Sequence, residues 1–420
     1  MKPKLLTTMK DYSAKVFVAD AIAGVTVALV ALPLSIAIAI ASGAPPEAGL
    51  VTAIVGGFLV SALGGSRVQI GGPTGAFIVV VYEIIERHGF DGLLLATLMA
   101  GVILVIGGLL RAGRLIAFVP EAVIEGFTIG IAVIIGISQL KDLLGLSVGQ
   151  VSAELAELVP ALWNARGSFN AYAAGVGFAA IIAIASLRRL APRIPGSIVA
   201  IGLASLVVAM LVLPVDTIQS RFGTLPSGLP MPALPPVSIT LLRDLLPSAF
   251  LIAFLAGVES LLSAIVADRM IGGSHRSNAE LLAQGAANIA SPLFGGLPAT
   301  GAIARTATNV RAGGMTPVAG IVHAIVILLV TLVAAPLTGY LAMPALAGLL
   351  IITAWTMSEP SRWRDHLKLR YGDRALLFLT MILTIATSLT LAIAVGTVLG
   401  LGLRLLRRDV EPAEWTPADR

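Results

Sequence analysis

The 420-residue sequence has no cysteine and little charge: Asp, Glu, Lys and Arg make up 12% of it, about half the share found in a soluble domain. The missing cysteine excludes a disulfide-stapled secreted scaffold. The missing charge excludes more. With 57% apolar residues and a mean hydropathy of +0.96, too little polar material exists to coat a soluble globule, so the chain is an integral membrane protein and neither a cytosolic enzyme nor a nucleic-acid binder. A net charge of +5 would suggest nucleic acid in a soluble protein, but here the basic residues sit in short loops and report orientation. None of the six lysines follows a glycine, so there is no GxxxxGK[ST] phosphate loop and no ATP hydrolysis by that route. No His/Asp/Glu cluster has metal-ligand spacing, and no cofactor is implied.

What is present is a long series of apolar runs. A spanning helix needs roughly 20 apolar residues, and shorter segments survive where protein covers them. The runs give fourteen segments: about 19–42, 47–64, 73–85, 92–110, 115–140, 168–187 and 194–214, then 244–267, 277–292, 299–311, 316–338, 342–357, 373–389 and 391–406. The third and tenth are too short to cross alone. With the amino terminus inside and sides alternating, 22 basic residues fall inside, among them Lys2, Arg67, Arg193, Arg311, Arg408 and Arg420. Only five fall outside (Arg87, Lys141, Arg166, Arg221 and Arg243), and Arg305 is left within a segment. That asymmetry predicts a multi-pass protein of the cytoplasmic (inner) membrane with both termini cytoplasmic. Residues 148–165 alternate polar and apolar positions at helical spacing and predict a helix on the outer interface. The expected organisation is a cytoplasmic segment 1–15, a first repeat 16–214, a Pro- and Gly-rich extracellular linker 215–243, a second repeat 244–406 and a tail 407–420.

Three landmarks recur at a nearly constant offset. Asp20 returns as Asp244, Thr74-Gly75-Ala76 as Thr300-Gly301-Ala302, and Pro120 as Pro344. Seven segments separate the copies, and an odd number inverts the second half, the plan of many secondary transporters. Gly71-Gly72-Pro73 before Thr74, and Gly295-Gly296-Leu297-Pro298 before Thr300, cannot continue a helix. Each predicts a short extended stretch leading into a half-helix. By the topology the two half-helices run in opposite directions from mid-membrane, so their amino termini face each other. Unsatisfied N–H groups and two positive dipole ends aimed at one point make an anion site.

The segment DAIAGVTVALVALPLSIAIAIASGAPPEAGL at 20–50, GGPTGAF at 71–77 and ATNVRAGG at 307–314 resemble the sulfate permease (SulP) family of anion transporters, and the resemblance runs from 16 to 406. It implies an all-α polytopic fold of seven plus seven inverted segments like uracil permease, divided into core and gate domains. It also implies a substrate held between the third and tenth segments and closed in by the first and eighth. Family members usually carry a cytoplasmic STAS domain after the last span; this sequence is expected to lack it, with transport chemistry intact. A homodimer is expected by the same analogy.

Glu259 lies nine residues before the expected inner boundary at Asp268, or ~13 Å from that edge and near the middle of a ~30 Å core. A carboxylate there is costly and by default functional. Glu259 is therefore the expected proton-coupling residue, since its protonation removes a charge that would repel an incoming anion. Ser263, at i+4 on the same helical face, is grouped with it. In the resembled family this position often holds Asp or Glu and serves coupling or ion binding. Arg305 is the one basic residue stranded inside a span and would attract the anion or balance Glu259; the resemblance matches it to an arginine beside the anion site of animal relatives. Against this stands snorkelling of Arg305 towards the inner surface. Thr74, Gly75, Ala76 and Phe77, with Thr300, Gly301 and Ala302, are expected to line the site. Pro33, Leu34 and Ser35 are expected to interrupt the first span and border the cavity. Glu121 and Glu125 read as gate or salt links, and His323 as packing. Gly126, Gly130, Gly396 and Gly400 read as close helix contacts.

These features predict secondary active transport of a small anion through the lipid bilayer with a proton as partner. A dicarboxylate such as fumarate is favoured, because Glu at this position suits protonation. Sulfate or bicarbonate transport with protons or sodium, and passive exchange or a channel, are the alternatives. An intramembrane enzyme lacks a nucleophile–base or metal constellation at midplane depth.

Overall fold

The computed structural model describes residues 2–114, 120–149, 154–191, 194–387 and 389–407. The start of the expected fifth segment (115–119), residues 150–153 of the amphipathic stretch, Arg193, and the tail from 408 with Arg408 and Arg420 lie outside the described residues.

The first half contains α1 (Ala14–Ala41), α2 (Pro46–Leu63), the strand β1 (Gly71–Gly72), α3 (Ile78–Leu109), α4 (Glu121–Ser138), α5 (Ala171–Leu190) and α6 (Gly196–Met210). The second contains α7 (Ile239–Ile271), α8 (Ser277–Leu293), the strand β2 (Thr300–Gly301), α9 (Ile303–Arg311), α10 (Val318–Thr338), α11 (Met343–Met357), α12 (Tyr371–Ala386) and α13 (Leu389–Arg407). The order helix, helix, strand, half-helix thus occurs twice. α3 holds the expected third and fourth segments, separated at Gly89, whose φ of 70° breaks the helix where a residue without Cβ tolerates it. Among the described residues, seven helical stretches are long and apolar enough to cross a membrane.

Local chemistry sets several boundaries. Ser13 accepts from the Val16 N–H and starts α1, and Ser238 accepts from Leu241 and starts α7. α7 therefore opens at Ile239, five residues before the expected Asp244, and ends at Gly272 in the left-handed conformation. The amphipathic stretch forms a helix at Leu155–Asn164 with Leu158 buried and Trp163 exposed. The connection between halves carries its own short helix, Ile218–Phe222, whose first N–H groups donate to the carbonyls of Leu341 and Gly339.

Two bundles result. α1, α2, α3, α7, α8, α9 and α10 pack on one another as the core, and α4, α5, α6, α11, α12 and α13 form the gate. α3 and α8 approach through Gly101, Gly108 and Gly285, where any Cβ would press on the other helix. In the gate, Gly126 and Gly130 pack on Leu377 and Thr384 of α12, and Gly396 and Gly400 on Thr380 and Pro120, so these glycines serve helix contact as their spacing suggests. Arg362 pairs with Glu121 at 3.0 Å and Glu125 at 2.9 Å, and His366 approaches Glu125 at 3.2 Å. The two glutamates are salt links between α4 and the loop after α11.

Two sequence expectations change here. α1 runs unbroken through Pro33, Leu34 and Ser35; a proline costs one N–H bond, and the packed neighbours keep the helix going. Asp20 and Asp244 sit at matching depths of their helices but in unlike surroundings. Asp20 is fully buried, accepting from the N–H groups of Met315 and Thr316 and the Thr316 hydroxyl ahead of α10 and from the Tyr12 hydroxyl ahead of α1, whereas Asp244 is exposed.

Candidate functional site

The two broken segments meet. β1 and β2 form an antiparallel pair with Gly71 opposite Gly301 and Gly72 opposite Thr300. α3, entered through a 3-10 turn at Gly75–Phe77, and α9 both start at this ladder. Two positions of the ladder require glycine. A Cβ at Gly72, where φ is 150°, would strike Arg305 Nη1, and one at Gly301 would strike Gln69 Nε2.

A polar scaffold holds the ladder in place. Gln69 Nε2 donates to the Ser260 carbonyl and hydroxyl, both at 3.0 Å. The Ser260 hydroxyl donates to Glu280 at 3.0 Å and accepts from Gln284 at 2.6 Å. Glu280 also receives the N–H groups of Gly65 at 2.8 Å and Ser66 at 3.2 Å. Asn288 exchanges hydrogen bonds with both backbone groups of Ala299, at 2.7 and 2.9 Å, and Asn309 donates to the Val68 carbonyl at 2.8 Å. Thr52, in a π-helical turn of α2 (Thr52–Gly56), accepts from Leu297 N–H at 2.6 Å. Inside a membrane such irregular backbone survives only with this degree of internal satisfaction.

Glu259 is half-buried and accepts a hydrogen bond from the Thr74 hydroxyl at 2.9 Å, linking α7 to the start of the first half-helix. Arg305 is 2% exposed. It does not snorkel; the exposed arginine at the end of α9 is Arg311. The Arg305 guanidinium donates through Nη2 to Ser35 at 3.1 Å and to the Pro73 carbonyl at 3.0 Å, while Nε and Nη1 have no partner among the described residues. Glu259 and Arg305 form no ion pair with each other among the described residues; Glu259 meets Thr74, and Arg305 meets the preceding Pro73 carbonyl.

Other expected site residues are placed differently. Ser263 hydrogen-bonds Thr306 at 3.1 Å, fixing α7 to α9. The Thr300 hydroxyl donates to the Ala256 carbonyl, and Ala302 N–H donates to Ile70. With Thr300 and Gly301 in the strand, the uncommitted N–H groups of the second half-helix are those of Ile303, Ala304 and Arg305, because its own bonding begins with Thr306 N–H to Ala302. In the first half-helix the turn bonds start with Phe77 N–H to Thr74 and Ile78 N–H to Gly75, which leaves Gly75 and Ala76. The two Thr-Gly-Ala copies are therefore not structural equivalents: the second supplies the strand and the first follows it. Phe77 is 2% exposed and belongs to the apolar core. His323 is fully buried next to Gly57, with neither ring nitrogen bonded among the described residues.

Ala37 and Ile40 of α1 meet Gln139, Asp142, Met343 and Leu346 around a void of about 10 Å³.

A model of the Sulfate permease family matches residues 17–382. The chain is 43% identical over 392 residues to the Bacillus subtilis protein named "Putative sulfate transporter YvdB", spanning 93% of this chain and 74% of that one. It is 33% identical over 389 residues to the Bicarbonate transporter BicA of Picosynechococcus sp., spanning 90% and 68%. Among solved structures, the transmembrane domain of a cyanobacterium bicarbonate transporter BicA superposes with a TM-score of 0.80 at 29% identity, over 92% of this chain and 98% of that one. SLC26A9 reaches 0.88 at 18% identity, over 96% and 68%, which speaks to fold alone. The fold is the seven-plus-seven inverted repeat of these transmembrane domains, and the family is one of transporters rather than enzymes. On the matched length, the identities and the superposition together, the chain belongs to the sulfate permease family of anion transporters.

Proposed function

We propose that the chain is a secondary active transporter that holds a small anion between the amino-terminal tips of its two half-helices, and that the anion is a dicarboxylate such as fumarate carried with a proton on Glu259. The observation that carries this reading is the β1–β2 pairing. It brings the free N–H groups of Gly75 and Ala76 and those of Ile303 and Ala304 to one locus, with the positive end of each dipole directed there. Arg305 adds fixed positive charge with two nitrogens unspent, and Ser35 and Pro73 orient it. Glu259 is the opposing charge, and its protonation would lower the repulsion felt by an arriving anion. Thr74, Gly75, Ala76, Ile303, Ala304 and Arg305 are then the substrate contacts, and Phe77, Thr300, Gly301, Ala302 and Ser263 the frame.

The distribution of basic residues supports a cytoplasmic amino-terminal face, with residues 215–243 outside. Alternating access then comes from the core moving against the gate. A second reading, sulfate or bicarbonate as substrate, is favoured by the names of the relatives.

The test is uptake into proteoliposomes of labelled fumarate, sulfate and bicarbonate, each with and without an inward proton gradient. Fumarate uptake that rises with the gradient supports the first reading. Gradient-independent uptake of sulfate or bicarbonate, with no fumarate uptake, replaces it.

A further inference from the structure

A cavity of about 430 Å³ opens on the face of the core that carries the amino terminus, and neither Glu259 nor Arg305 lines it. Its walls are the short Lys4–Thr8 helix, Tyr12, Arg67 in the loop between α2 and β1, and Thr316 ahead of α10. The amino-terminal helix is fastened there by its backbone: Lys4 N–H donates to the Gly64 carbonyl at 2.9 Å, and Arg276 donates to the Lys2 carbonyl at 2.7 Å.

The charge on this wall is unbalanced. Lys4, Arg67 and Arg276 form no ion pair among the described residues. Partial burial, and then the neighbouring Arg276 and Arg67, hold the Lys4 ammonium below its usual range, although Asp268 pulls the other way. The nearby carboxylates are occupied. Asp20 takes four hydrogen bonds, and Asp268 receives the N–H and Nδ1 of His275, both at 2.7 Å. The hydroxyls are committed as donors too, Tyr12 and Thr316 to Asp20, Thr7 and Thr8 to the Lys4 carbonyl. What remains free to meet a ligand is positive charge facing a cavity within the ~300–1,000 Å³ range of small-molecule sites.

We infer that this cavity is a second anion site, distinct from the transport site, in which Lys4 and Arg67 together hold a phosphate-bearing group. Guanidinium and ammonium converging on one oxyanion match the geometry and charge of phosphate. The volume exceeds what a lone tetrahedral ion fills and accommodates a diphosphate or the head group of an anionic phospholipid. Arg67 stands four residues before β1, so occupancy would tie the amino-terminal helix to the strand that frames the transport site.

The experiment uses the full chain in detergent, with sodium pyrophosphate as the soluble probe and phosphatidylglycerol as the lipid probe. Thermal unfolding reads the first and native mass spectrometry, against phosphatidylcholine, reads the second. The double variant Lys4→Gln/Arg67→Gln should lose at least about tenfold in apparent affinity for one of the two probes, while Arg305→Ala keeps it. Loss in the pyrophosphate arm identifies a free phosphate ligand, and loss in the lipid arm a head group. The site is overturned if the unaltered protein binds neither probe, if the double variant binds both as before, or if only Arg305→Ala abolishes binding. Should the double variant misfold, the exposed Arg67→Gln alone carries the same comparison, and Lys4→Arg should retain binding.

Discussion

Thr74 donates a hydrogen bond to Glu259 at 2.9 Å, though 185 residues separate them. The bond couples the carboxylate to the tip of the half-helix at which an anion would dock. A change in the state of Glu259 is thereby felt at the backbone that would touch substrate.

Glu259→Gln should therefore abolish the response of uptake to a proton gradient while leaving the fold intact. Labelled-anion flux in proteoliposomes at two pH values checks this. An unchanged proton response in the variant would remove Glu259 from the coupling role.

Arg305→Lys keeps the charge but loses the Nε and Nη1 donors left over once Nη2 serves Ser35 and Pro73. Apparent substrate affinity should weaken by roughly tenfold with little loss of thermal stability, and Arg305→Ala should cost more. Concentration dependence of uptake distinguishes the two.

Gly72→Ala places a Cβ against Arg305 Nη1 at a backbone conformation that favours glycine. The expected result is transport reduced by about tenfold or more, because the guanidinium must move. Gly136→Ala, where a Cβ meets nothing within 4 Å, is the matched control and should transport normally.

Glu280→Ala strips the acceptor from Gly65 and Ser66 N–H groups, the Ser260 hydroxyl and Gln284. Each buried group left unsatisfied costs about 1–3 kcal/mol, so a marked fall in melting temperature is expected. Glu280→Gln, which can still accept, should fall less. Detergent-solubilised thermal unfolding measures both.

Burial and the adjacent Asp20 push the Tyr12 hydroxyl up from 10.0 to about 12. A group whose folded value is raised stabilises fully below its unfolded value and loses that contribution as pH rises to the folded one. The docking of the amino-terminal segment should accordingly weaken between pH 10 and about 12, seen as increased proteolysis near Lys10, and Tyr12→Phe should flatten that dependence.

Much of the frame was legible in the residue pattern. Gly71-Gly72-Pro73 and Gly295-Gly296 marked the two breaks, and the isolation of Glu259 and Arg305 in apolar surroundings marked the charges. The register at the breaks was not legible, because Thr74 and Thr300 look alike in sequence while Thr300 lies in its strand and Thr74 follows its strand by two residues. The partner of Ser263 was not legible for a related reason: helical spacing groups it with Glu259, but the hydroxyl it bonds, that of Thr306, comes from another helix. The scaffold on α8 was missed although a signal existed. Glu280, Gln284, Asn288 and Ser291 recur at intervals of four, four and three residues in an otherwise apolar helix and form one fully buried polar face.

The backbone ladder between Gly71 and Gly301 has a mechanical corollary. Two tips stitched by main-chain bonds cannot part like jaws to let cargo go without breaking the very contacts that define the binding locus. On the proposed site, cargo and cradle would travel together, and discharge would follow from where the cradle is carried rather than from its coming undone.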